Sequence, residues 1–191
     1  MFDHFDILAP VYERVIGPPD PARLKRLLRL PTDGWLLDAG GGTGRVAATL
    51  RPFVGGLIVG DQSLGMLQRA REKQTVHPVR IQVQQLPFAD DSFSRILVVD
   101  ALHHFFDQFA AARELARVLA PSGRLVIEEP DIRRLTVKLV ALAERMALMG
   151  STFLAPEVVC AMLAAHGLQA SVAERDRFSA WIVAEKPSGG T

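Results

Sequence analysis

The sequence predicts an α/β fold: a mostly parallel sheet flanked by helices and completed by an antiparallel C-terminal hairpin. Short apolar runs alternate with stretches of helical period, which is the rhythm of strand–helix–strand units. Apart from Val79–Val83, which alternates, the runs are continuous, as strands buried on both faces of a parallel sheet require. The main runs also end on acids, at Asp38, Asp61, Asp100 and the pair Glu128-Glu129.

The elements follow in order. Leu24, Leu27 and Leu28 mark a short helix that stops before Pro31, and Trp35–Leu37 is the first strand. Gly56–Gly60 is the second. Ser63 suits the N-cap of a helix over Leu64–Lys73, with Leu64, Met66, Leu67 and Ala70 on its inner side. Val79–Val83 and Arg95–Val99 are the third and fourth strands. Phe105, Phe109, Ala112, Leu115 and Leu119 then keep helical spacing until Pro121-Ser122-Gly123 stops the helix. Arg124–Ile127 is the fifth strand. Leu135, Leu139, Leu142, Met146 and Met149 form a further helical stripe, suited to covering an apolar pocket. Pro156 fits the first turn of a helix running to His166, and Gly167 is its C′ stop. Leu168–Ala173 and Phe178–Ala184 pair around the charged turn Glu174–Arg177. The tail 187–191 reads as disordered.

Composition narrows the functional classes. At 191 residues the chain is one domain, divided as an N-terminal segment 1–30, a core 31–186 and the tail 187–191. Basic and acidic side chains number 22 and 21, so a net charge of +1 leaves no field to gather nucleic acid. No apolar run reaches the roughly 18 residues of a membrane span. Cys160 is the single cysteine, which excludes an internal disulfide, and its helical, apolar neighbours read it as a small buried hydrophobe. The first ten residues carry two acids and no basic stretch, unlike a signal peptide. A cytoplasmic protein, monomeric or homodimeric, is expected.

The segment Leu36–Val46 carries the chemistry. A buried strand ends, the chain turns through glycines, and a helix begins, so backbone amides can meet a polar ligand. A dinucleotide fingerprint needs G-x-G-x-x-G, but Arg45 stands at the third glycine position and Gly44 falls one residue early. No Gly-Lys-Ser/Thr follows for a phosphate loop. What stands here is Asp38-x-Gly40-x-Gly42-x-Gly44. A carboxylate before the glycines would repel a pyrophosphate but suits a ligand carrying an ammonium and a sulfonium. This resembles motif I of the class I S-adenosylmethionine-dependent methyltransferases. Asp61, at the tip of the second strand, can accept both ribose hydroxyls. Gln62 and Met66 are placed to flank the adenine.

The resemblance extends along most of the chain. Gln85–Phe93, reading QLPFADDSF, resembles a segment that precedes the fourth strand in this superfamily, and Ala101–Phe105 reads ALHHF after that strand. Leu115–Leu125 resembles the family's entry to strand five, with Ser122 in place of a glycine. The opening Phe5–Glu13 resembles the start of the ubiquinone and menaquinone biosynthesis C-methyltransferases. The resemblance implies a Rossmann-like three-layer sandwich whose seven strands lie in the order 3-2-1-4-5-7-6. It implies S-adenosylmethionine as cofactor and a small methyl acceptor, aromatic or quinone-like. It also implies a lid from the N-terminal segment, in which Phe5 and Tyr12 would face the sulfonium. One departure is Gln82, where the family carries an acid for the adenine amine. Its carbonyl can still accept, and the Val83 amide can meet the ring nitrogen.

Other roles follow from the same resemblance. Asp100 is expected at the cofactor's methionine end, His103 as substrate contact or base, and His104 on the substrate side. Glu128 and Glu129 with His103 are too scattered to make a metal site, and none is expected. Two alternatives stay open: a cofactor-binding protein without turnover, and a nicotinamide-dependent oxidoreductase. The latter is disfavoured by Asp38 and the missing third glycine.

Overall fold

A sheet of seven strands in the order β3-β2-β1-β4-β5-β7-β6 forms the centre of the computed structural model, which describes residues 20–133 and 152–189. The strands are β1 (Thr32–Ala39), β2 (Val54–Asp61), β3 (His77–Arg80), β4 (Phe93–Val99), β5 (Leu119–Pro130), β6 (Gln169–Arg175) and β7 (Ser179–Glu185). Pairing is parallel from β3 across to β5 and antiparallel in β5–β7 and β7–β6. The fold expected from the sequence is therefore the fold observed, hairpin included.

Helices cover both faces. On one side α1 (Pro21–Leu28), α2 (Ala47–Leu50) and α3 (Leu64–Glu72) bury Leu24, Leu28, Leu50 and Leu67 against Leu36, Leu57, Leu97 and Trp181. On the other, α4 (Gln108–Val118) and α5 (Pro156–Ala164) bury Leu115, Val159 and Leu163 against Leu37, Ile96, Leu125 and Ile182. Strands of such runs remain buried on both faces, which is why their sequences lack alternation. Leu24 and Leu28 have no exposed surface, so α1 packs as part of this layer although it lies within the first 30 residues.

Caps explain most helix starts. Ser63 accepts from the Met66 amide at 3.2 Å, as the sequence requires, and Asp20 accepts from the Ala22 amide at 2.9 Å. Several boundaries differ from expectation, three of them by a changed local structure. The third strand ends at Arg80 rather than running to Val83. Gln85 then donates to the Gln82 carbonyl at 3.0 Å in a tight turn, while Ile81 and Val83 remain buried from the loop. Those two apolar side chains mimic a strand.

The helix expected from Phe105 starts only at Gln108, because Asp107 caps it by accepting from the Ala110 amide at 2.9 Å. Phe109 is 61% exposed, and the buried stripe is instead Ala111, Ala112, Leu115 and Val118. The Pro121-Ser122-Gly123 stop lies inside β5, which begins at Leu119. It forms an irregularity where the β4–β5 register shifts between Phe93 and Arg95. Lys186 closes this corner, its Nζ donating to the Ala116 and Leu119 carbonyls at 3.0 and 2.8 Å and to Asp91 at 2.7 Å. Gly167 (φ +82°) ends the turn after α5 as expected. Cys160 is only half-buried, and burial raises its thiol pKa. The apolar stripe of 135–149, the segment carrying Phe5 and Tyr12, and the last two residues lie outside the described residues. Among the described residues no helix is long and apolar enough to cross a membrane.

Candidate functional site

The carboxyl ends of β1, β2 and β4 face one cavity. β1 and β2 run in register to Ala39 and Gly60, so the loop after β1 lies beside the tip of β2. The Gly40 and Gly41 amides both donate to the Gly60 carbonyl, at 2.8 and 3.1 Å. The Gly42 amide donates to Asp61 Oδ2 and the Ser63 amide to Asp61 Oδ1, each at 2.9 Å. Asp61 therefore holds the glycine loop and the start of α3 at once. Its carboxylate is fixed in direction before any ligand arrives.

Asp38 lies underneath. It is 1% exposed, and its Oδ2 has no hydrogen-bond partner. A β-carbon on Gly41 would stand 2.5 Å from that oxygen, so only glycine leaves room for the carboxylate there. Burial, and then the charge of Asp61, push the Asp38 carboxyl up to about 7, with Arg45 opposing. A buried orphan acceptor beneath a loop of amides is a costly arrangement, on the order of 1–3 kcal/mol, unless a donor or cation completes it.

The cavity spans the sheet's topological switch point between β1 and β4, whose onward connections run toward opposite edges of the sheet. One end is walled by Gln62, Met66, Gln82 and Val83, together with Ile81 and Gln84. The other end is walled by Asp100, Ala101, His104 and Phe105, with Asp38, Gly40, Gly42 and Asp61 between the ends. Of the cofactor-facing residues expected from the sequence, nine line this space. Gly44 does not. Its φ is positive (+69°) and a β-carbon there would stand 3.3 Å from Val59 Cγ2, so it is a packing glycine under the loop.

The histidines divide. His103 is 3% exposed and absent from the cavity wall, whereas His104 lines it. The Nδ1 of His103 stands 2.7 Å from Glu129 Oε2, and its ring stacks on Phe153 with centroids 4.4 Å apart. Glu129 Oε1 accepts from the Ala101 and Leu102 amides at 3.0 and 2.6 Å. The sequence expected His103 as substrate contact or base; its ring is instead held inward against the buried carboxylate at the end of β5 and does not line this cavity. The His104 imidazole, 4.0 Å from the His103 ring, is lowered to about 3 by burial and then by the His103 charge. Among the described residues no group of His, Cys, Asp and Glu is arranged to hold a metal ion.

Several wall residues were not singled out by the sequence: Thr43, Arg45, Val46, Ile81, Gln84 and Phe105. Arg45 and Val46 directly follow the glycines, so their proximity in sequence was a usable signal. Ile81 and Gln84 depended on where β3 ends.

A protein family described as a methyltransferase domain matches residues 37–127. Over 106 residues the chain is 36% identical to the methyltransferase GfsG of Streptomyces halstedii, covering 51% of this chain and 38% of that protein. Over 104 residues it is 36% identical to the ubiquinone/menaquinone biosynthesis C-methyltransferase UbiE of Vibrio campbellii, covering 49% and 40%. The chain thus spans about two fifths of the length of these curated relatives. The crystal structure of YcgJ from Bacillus subtilis superimposes with a TM-score of 0.76 at 20% identity, covering 88% of this chain and 98% of that one.

Proposed function

From a chain whose residues 37–127 match a family described as a methyltransferase domain, we propose a class I S-adenosylmethionine-dependent enzyme that methylates a small molecule, aromatic or quinone-like in character. The observation that carries the reading is the orphaned, buried Asp38 carboxylate beneath a glycine loop that opens on the cavity. A cationic ligand would relieve that oxygen. A pyrophosphate would be repelled by it.

The residues fit the cofactor of this class. The Asp38 side would hold the ammonium, and Asp61 would accept the ribose hydroxyls with the lone pairs left after binding Gly42 and Ser63. Met66 and Val83 would sandwich the adenine, with Gln82 as a neutral acceptor for its amine. Asp100, Ala101 and Phe105 would wall the methionine end. S-adenosylmethionine, when bound, supplies an activated methyl on a positively charged sulfur. What remains for the chain is positioning, which is worth roughly 7–11 kcal/mol for well-oriented reactants, and exclusion of water. The aromatic or quinone-like acceptor is supported by the similarity to UbiE and by Phe105 in the wall.

Heat-shift titration with S-adenosylhomocysteine against NAD tests the cofactor. At 100 times its dissociation constant the cognate ligand stabilises by about 2.7 kcal/mol. Release of S-adenosylhomocysteine on adding phenolic and quinol acceptors tests turnover. Stabilisation by NAD alone would reverse the assignment.

A further inference from the structure

We propose that a second cavity, adjoining the first, receives the methyl acceptor as a hydroxyl or amine nucleophile, and that Glu128 takes its proton. This inference rests on the methyltransferase reading and goes beyond it by naming the acceptor chemistry and the base.

The second cavity is open to solvent, with a volume of about 410 Å³. Arg45, Val99 and Asp100 line both cavities, so the two adjoin along these residues. Glu128 lies on the far side of that wall. It pairs with Val99 in the β4–β5 register, and its carbonyl accepts from the Asp100 amide at 2.9 Å. Phe178 and Trp181 line the same cavity and give it an aromatic flank.

The charges around Glu128 come from every element packed there. Asp20 and Arg23 face it from the start of α1, Arg45 from the exit of the glycine loop, and Asp100 from the tip of β4. Asp176 and Arg177 face it from the hairpin turn, and Glu129 follows it on β5. Arg23 is already committed, with Nη1 at 2.9 Å from Asp176 and Nε at 3.4 Å from Glu174. Burial, and then the charges of Asp100, Glu129 and Asp176, raise the Glu128 carboxyl to about 7, against a hydrogen bond from Ser179. A proton acceptor matched to neutral pH is the most effective base. His104, lowered to about 3, is too weak, and His103 is engaged with Glu129.

The step balances. The acceptor's O–H or N–H bond breaks and its proton moves to the Glu128 carboxylate. The freed pair on oxygen or nitrogen forms the bond to the methyl carbon. The sulfur–carbon bond breaks with its pair going to sulfur, leaving a neutral thioether and a neutral carboxylic acid.

The test compares the full chain with Glu128→Gln, which keeps shape and the Ser179 contact. In protein labelled with carbon-13 at glutamate side-chain carboxyls, one carboxyl should titrate near neutral pH in the parent and vanish in the variant. Hydroquinone and 2-phenylethylamine are the acceptor probes, an O–H and an N–H nucleophile. Methyl transfer to whichever is accepted should fall roughly 10² to 10⁴-fold in Glu128→Gln, and the rise of rate through neutral pH should flatten. Affinity for S-adenosylhomocysteine should stay within about threefold, consistent with a wall residue of the second cavity alone. The inference is overturned by a Glu128 that titrates below pH 6, by unchanged transfer and pH profile in the variant, or by a parent that binds S-adenosylhomocysteine yet methylates neither probe. Failure to bind S-adenosylhomocysteine at all would instead remove the methyltransferase reading beneath it.

Discussion

His103 and Glu129 meet at 2.7 Å beneath the cavity floor, and the same carboxylate accepts two backbone amides from the loop after β4. One side chain at the end of β5 thereby fixes the wall contributed by β4. Glu129→Ala leaves three buried donors without their acceptor and should cost about 3–5 kcal/mol. Glu129→Gln retains an oxygen for the two amides and should cost about 1–2 kcal/mol. Denaturant unfolding of both variants separates the two outcomes. Equal losses would mean that the carboxylate's charge, rather than its acceptor geometry, carries the contribution.

Asp38 should make stability fall as pH rises. Its folded carboxyl is held up at about 7, above the ordinary 3.8, so the folded state keeps a proton that the unfolded chain has lost. Stability from this group is complete below pH 4 and disappears as pH passes through about 7. Glu128, raised to about 7 from 4.5, acts in the same direction. Thermal unfolding of the ligand-free protein between pH 5 and 8 should show the decline, and Asp38→Asn should remove its own share and leave that of Glu128, with a difference on the order of 2–4 kcal/mol at pH 8.

Cofactor affinity should run the opposite way. Ionised Asp38 is the form that attracts an ammonium, so S-adenosylhomocysteine should bind more tightly at pH 8 than at pH 6. Titration calorimetry on the parent and on Asp38→Asn checks this. The variant should bind about 10-fold or more weakly at pH 8 and lose the pH dependence, since hydrogen bonds to charged groups contribute about 1.5–3 kcal/mol.

Two glycines of the loop should separate binding from stability. Gly41→Ala places a β-carbon 2.5 Å from Asp38 Oδ2 and should abolish S-adenosylhomocysteine binding. Gly44→Ala meets Val59 at 3.3 Å with φ at +69°, away from the cavity. It should cost about 1–2 kcal/mol of stability and leave affinity within a few-fold.

Lys186→Met should lower stability by about 1–2 kcal/mol without touching cofactor binding. The ammonium joins the last carbonyls of α4 to the corner at Asp91, and none of these residues lines the cavity. Chemical denaturation alongside calorimetry reads both quantities.

Much of this protein was legible before any coordinates. Continuous apolar runs ending in acids determined the parallel strands, because a strand covered on both faces has no polar side to show. The glycines between Asp38 and Arg45 determined where the backbone opens on the cavity, because only a residue without a β-carbon leaves room over Asp38. Local caps such as Ser63 were equally plain, since their hydrogen bonds close within a few residues. The tertiary structure alone decided which histidine faces the cavity. His103 and His104 are adjacent and chemically identical, and the choice between them is made by Glu129, 26 residues away on β5. It likewise decided that Glu128 sits among acids from β4 and the distant hairpin, an electrostatic setting that sequence separation conceals. Patterns along a chain report burial and local bonding. The protonation state of a side chain depends on which remote charges the fold brings to it.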